Sequence, residues 1–122
     1  MRELISHQVN GVNDGLTVWA DDEPGSGGAN HVYAIQWTDK RGPQLGMSLH
    51  FQNGSIKEVG VNGVTHEALL AILIDRLEGF QSGPYACPAN RDALACLRNA
   101  QQSLLSRTRE RAARGVEGTM AV

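Results

Sequence analysis

The sequence predicts an α+β protein, an N-terminal antiparallel β-meander followed by a C-terminal antiparallel two-helix hairpin. Two observations carry this. Up to residue 64, short runs alternate apolar and polar residues between turn signals, as half-buried strands do. Beyond Val64 the apolar period lengthens to that of a helix. With 122 residues, the chain holds one domain's worth of material: a sheet part at 1–63, a hairpin at 64–115 and a tail at 116–122.

The predicted strands are Leu16–Ala20, His31–Trp37, Leu45–Phe51 and Ile56–Val61. Asn13-Asp14-Gly15, the stretch from Asp21 to Asn30, Lys40 to Pro43 and Asn53-Gly54-Ser55 separate them, and the last has the composition of a tight hairpin. Thr65 is placed to cap a helix with Glu67 in its first turn, running to Gln81 before Gly83. Its apolar residues, Leu69, Leu70, Ile72, Leu73, Ile74, Leu77 and Phe80, span about 200° of the wheel, so two sides need cover, by the sheet and by a second helix. Pro84 and Pro88 bracket the turn, and Pro88 suits a first helical position. The second helix runs to Arg114 and stops at Gly115, with a stripe of Ala93, Leu94, Leu97, Gln101, Leu104, Leu105 and Thr108.

Composition narrows the function classes. The chain is 41% hydrophobic and 20% charged with net charge −2, which argues against disorder and against a non-specific nucleic-acid coat. The mean hides an acidic front and a basic end: residues 1–60 carry seven acids against four bases, while Arg98 to Arg114 hold five arginines opposed only by Glu110. The longest apolar run, Ala68 to Ile74, is far short of a membrane span, and the N-terminus carries no signal-peptide core. Two cysteines, Cys87 and Cys96, fit reduced thiols in a cytoplasmic protein.

Most apparent motifs dissolve on inspection. The run Gly25-Ser26-Gly27-Gly28 lacks the Lys-Ser/Thr of a phosphate loop and follows three acids. His7, His31, His50 and His66 fall on separate elements without metal-ligand spacing, so no metal and no cofactor is expected. Asp75 and Glu78 share a polar helix face, and no catalytic constellation has specific spacing.

The arginines are more informative. Arg107 and Arg111 are four residues apart with Arg114 close by, and two forked cations at that spacing suit a diphosphate. A solvated basic end favoured by the helix dipole is the plainer reading. Phe80 ends the first helix where its ring could stack on a base, with an ordinary core residue as the default reading. Asn90 sits in the apolar stripe and needs a partner, as a cap or a ligand contact. Arg76, one turn before Phe80, is a further candidate for an ion pair or an anion. The second helix, roughly 40 Å against roughly 25 Å for the first, overhangs a domain about 30 Å across, which points to assembly with further copies, the plainer alternative being a helix that frays after Leu105 into a solvated basic tail.

The wording from Phe51 onward is distinctive. It includes Phe51-Gln52-Asn53-Gly54-Ser55-Ile56, Glu58-Val59-Gly60-Val61-Asn62-Gly63-Val64-Thr65, Phe80-Gln81-Ser82-Gly83-Pro84, Arg107-Thr108-Arg109-Glu110-Arg111 and Arg114-Gly115-Val116-Glu117-Gly118-Thr119. This resembles the phage Thoeris anti-defence family, first type, over roughly residues 30–119, with a helical hairpin related to that of anti-CBASS sponges. The resemblance implies a non-enzymatic sponge that binds glycocyclic ADP-ribose, the NAD-derived signal of bacterial TIR enzymes, in the cytoplasm of the infected cell. It also implies a homo-oligomer, dimer-based and extending to a hexamer, in which some members bind cyclic oligonucleotides at separate sites. The family's ligand contacts carried over fall on Phe80, Asn90, Arg107 and Arg111, with Arg76, Arg114 and Thr119 as weaker candidates. Asn90 and Arg107 lie 17 residues apart, about 25 Å along one helix, whereas an ADP-ribose-sized ligand spans about 10 Å, so a shared pocket must combine two chains. A small nucleic-acid-binding regulator using the basic helix is the rival reading, weakened by the net charge and by the lack of helix-turn-helix spacing. A hydrolase that destroys the signal is the second alternative.

Overall fold

Strands β1 (Arg2–Leu4), β2 (Leu16–Ala20), β3 (Val32–Thr38) and β4 (Gln44–His50) form one antiparallel sheet in sequence order. Three helices follow: α1 (Ile56–Val59), α2 (His66–Gln81) and α3 (Pro88–Ala113). The fold is thus α+β, as the hydropathy pattern predicts. The computed structural model describes residues 1–9, 11, 15–42 and 44–122, so the turn predicted at Asn13-Asp14 and the end of that predicted at Lys40 to Pro43 lie outside the described residues. Contacts divide the chain into two compact units, Met1–Gly63 and Val64–Val122.

In the first unit the register builds one apolar face. Leu4 pairs with Val18, Val18 with Ile35 and Ile35 with Met47, while Leu16, Trp37 and Leu45 form the next row of that face. Leu45 and Met47 remain 45% and 50% exposed, so this face is only half covered. β1 was not anticipated. Arg-Glu-Leu has no alternation of its own and becomes a strand by pairing with Val18–Ala20.

The stretch from Asp21 to Asn30 is a clasped loop rather than a phosphate cradle. Gly25 donates its N–H to Ala29 and Gly28 donates to Gly25, closing a 3₁₀ turn in which Gly27 and Gly28 hold left-handed φ of 75° and 83°. Buried His31 sets its Nε2 2.9 Å from Ser26 O. The Asp22 carboxylate accepts the His31 N–H at 3.0 Å and the Asn30 amide at 3.2 Å. Burial pushes the Asp22 carboxyl upward, but these bonds together with backbone donors outweigh it and hold the group below its ordinary 3.8.

The strand predicted at Ile56–Val61 is instead a one-turn helix, and Asn53-Gly54-Ser55 leads into it rather than forming a hairpin. Amide side chains explain the difference, because they take the bonds a ladder would supply. Asn62 Nδ2 donates to Asn53 O at 2.7 Å, Asn53 N–H donates back to Asn62 Oδ1 at 2.8 Å, and Gln52 bridges Gly60 O and the Asn62 N–H. Gly60 then leaves the helix at φ 76°, which a β-branched strand residue would resist. At Gly63 the backbone passes so close to Phe51 that an added Cβ would collide with its carbonyl group.

The second unit is the predicted hairpin. Thr65 caps α2 by accepting the Ala68 N–H at 3.2 Å, Pro88 opens α3, and Gly115 closes it at φ 75°. Leu94 is the apolar residue buried between the helices, at 5% exposure. On α2 Leu69, Leu70, Ile74 and Leu77 are half-buried, whereas Ile72 and Leu73 stay 63% and 47% exposed. No helix among the described residues is long and apolar enough to cross a membrane.

Candidate functional site

The sequence-predicted residues fall at the two ends of α3. At the hairpin turn, Phe80 is 36% exposed, with the Arg76 guanidinium carbon 5.0 Å from its ring centre. Tyr85 meets Phe80 edge-on at a centroid distance of 6.2 Å. Asn90 is half-buried beside them and directs its amide to Tyr85 O across 3.5 Å. Phe80 and Asn90 are therefore brought together by Tyr85, a residue that the sequence reading missed, and Arg76 joins them through the Phe80 ring. An aromatic between Pro84 and Pro88 was its available signal.

The turn itself is rigidly specified. Ser82 donates its hydroxyl to Gly79 O at 2.8 Å and its N–H to Glu78 O, while Gln81 Oε1 accepts the Cys87 N–H at 2.9 Å. Glu78 pairs with Arg98 across the helices at 2.9 Å. A shallow groove of about 450 Å³ lies there, lined by Glu78, Gln81, Ser82, Arg91, Leu94 and Arg98; its lining does not include Phe80, Asn90 or Arg107.

At the far end the three arginines have distinct surroundings. Arg107 is exposed and, among the described residues, faces no carboxylate partner. Arg114 is exposed, pairs with Glu110 and donates to Val122 O at 2.9 Å. Arg111 is 6% exposed. Its Nη2 donates to Val116 O and Thr119 O, each at 3.0 Å, its Nη1 donates to Ala121 O at 2.5 Å, and its Nε lies 3.3 Å from Glu117 Oε2, out of hydrogen-bonding line. The i, i+4 spacing places Arg107 and Arg111 on one side of α3, but only Arg107 opens to solvent.

The tail motif explains this burial. With Gly115 left-handed, its N–H returns to Ala112 O at 3.0 Å and the Val116 N–H to Arg111 O at 3.0 Å, closing the helix. Gly118, at φ 80°, turns the chain again, and Thr119 donates its hydroxyl to Val116 O. The carbonyls of residues 116, 119 and 121 then converge on one guanidinium. Glu117 sets a carboxylate beside the same guanidinium, 3.3 Å from Arg111 Nε. The stripe Leu94, Leu97, Gln101, Leu104, Thr108 held the signal, since Arg111 is its next member.

Fold and site define a class: a small α+β protein with an aromatic cluster at a hairpin turn and an arginine-rich end at the far end of α3. The comparisons sharpen it. No family model matches the chain. The chain is 44% identical over 72 residues to Thoeris anti-defense 1 of Bacillus phage SBSphiJ7, a match that covers 59% of this chain and 51% of that protein. The chain thus spans about half the length of that relative. Its resemblance to the Thoeris anti-defence family stands as a relationship of sequence over that stretch.

Proposed function

We propose that the protein is a phage anti-defence protein that binds and sequesters glycocyclic ADP-ribose in the cytoplasm of the infected cell, without degrading it, and so keeps TIR-based Thoeris immunity silent. The observation that carries this reading is the 44% identity to a protein named for anti-defence against Thoeris. The chemistry at the two poles of α3 supports it. Phe80, one face lined by Arg76, offers a stacking platform for an adenine, with Asn90 beside it to hydrogen-bond. The exposed Arg107 offers a forked cation to the diphosphate. About 25 Å of helix separates these groups, so the ligand is held between Phe80 and Asn90 of one protomer and the arginine-rich end of another. The half-open apolar residues of the sheet face and of α2 give such a homo-oligomer surface to bury.

The test is recovery of the ligand. Purified protein is incubated with glycocyclic ADP-ribose, freed of unbound ligand and heated. The expected result is stoichiometric release of intact ligand. Release of a cleaved product would make the protein an enzyme and overturn sequestration. Duplex DNA binding with steep salt dependence and no small-nucleotide binding would assign the basic helix to nucleic acid.

A further inference from the structure

We propose that the two arginines at the end of α3 have divided roles: Arg107 contacts the anionic ligand directly, and Arg111 is a positioning residue that latches the 116–122 tail. This rests on the sequestration reading of the site and revises how the arginines serve it.

The geometry gives three reasons. Arg111 is already occupied: three carbonyls take bonds from its Nη groups and only 6% of the residue is exposed. A diphosphate reaching this guanidinium must displace all three, and every one comes from the tail. The second reason is charge. Glu117 lies 3.3 Å from Arg111 Nε, so an arriving diphosphate meets a carboxylate at the cation meant to attract it. The third is the state of the neighbours. Arg114 is engaged by Glu110 and Val122 O, while Arg107 is exposed and faces no carboxylate among the described residues.

The latch has a use at the site. Arg107 lies one turn before Arg111, about 6 Å along the axis, so a tail fixed on Arg111 is anchored within one turn of the free guanidinium's helix position. Holding a wall there costs little at the moment of binding, because the tail is ordered beforehand. The left-handed Gly115 and Gly118 make the wall possible, since both turns that carry the carbonyls to Arg111 require their φ values.

A double-mutant cycle in the full chain tests the division. Gly118→Val strains a left-handed position and springs the tail while leaving Arg111 in place. Glycocyclic ADP-ribose binding is measured by calorimetry for the parent, Arg107→Ala, Arg111→Ala, Gly118→Val and the double variants with Gly118→Val. The expected pattern has two parts. Arg107→Ala weakens binding about 10- to 100-fold in either tail background, the size of a lost charge-assisted contact. Arg111→Ala weakens it about tenfold in the parent but less than about twofold once Gly118→Val has opened the tail, because their effects act through one element. An equal loss from Arg111→Ala in both backgrounds makes Arg111 a direct contact and overturns the proposal. Tighter binding by Gly118→Val makes the tail an inhibitory cover, which also overturns it. A second readout needs no ligand: the Arg111 Nη protons that bond the tail carbonyls should give slowly exchanging NMR signals that Gly118→Val abolishes. If the parent binds no nucleotide, sequestration fails, and the latch stands or falls on those signals alone.

Discussion

Phe80→Leu separates the ring's part in binding from its part in holding the hairpin. Leucine keeps most of the apolar bulk but removes the π face. Two contacts disappear from the folded chain, the stacking of Arg76 at 5.0 Å and the edge contact with Tyr85 at 6.2 Å. A cation–π pair at an exposed site contributes about 0.5–1 kcal/mol and an aromatic pair about 0.5–1.5 kcal/mol, so the hairpin should lose about 1–2.5 kcal/mol. Binding should suffer differently, since a stacked base contributes about 1–3 kcal/mol, or roughly 5- to 150-fold in affinity. Urea unfolding followed by helical circular dichroism reads the first quantity, and calorimetry with glycocyclic ADP-ribose at a temperature where the variant is fully folded reads the second. Phe80→Trp should restore binding. Unchanged affinity in a folded Phe80→Leu variant would refute the platform, whatever the stability change.

Leu94→Ala empties the buried centre of the α2–α3 seam and should cost about 2–5 kcal/mol, visible as a lower urea midpoint with an unchanged slope. Asp22 sets an acid limit on the first unit: its folded carboxyl titrates below the ordinary 3.8, so its stabilisation is present above that value and fades as pH falls through the folded one. The advantage of the parent over Asp22→Asn should therefore be full at neutral pH and shrink on acidification below about 3.8, as followed by urea midpoints across pH; parallel curves would contradict the assignment.

The sheet and the hairpin were legible because period follows burial. β2, β3 and β4 show alternation, and α2 and α3 carry explicit start and stop residues in Thr65, Pro88 and Gly115. β1 was not legible because three residues become a strand only through their partner. The segment after Ser55 misled because Ile56, Val59 and Val61 suit a strand, while Gln52, Asn53 and Asn62 satisfy its backbone through side chains that hydropathy does not register. At the site, spacing correctly put Arg107 and Arg111 on one side of α3. It said nothing of the tail, whose carbonyls reach Arg111 only after Gly115 and Gly118 have each turned the chain.

The bonds around Arg111 have a kinetic consequence. They join residues only five, eight and ten positions apart in the chain, so closing them demands little loop entropy, unlike the 28 positions between Arg2 and Asn30 in the sheet unit. Low contact order of this kind favours rapid formation. The last turns of α3 and the residues that cap them can then assemble on local information alone, and they should gain and lose amide-exchange protection as one cooperative unit.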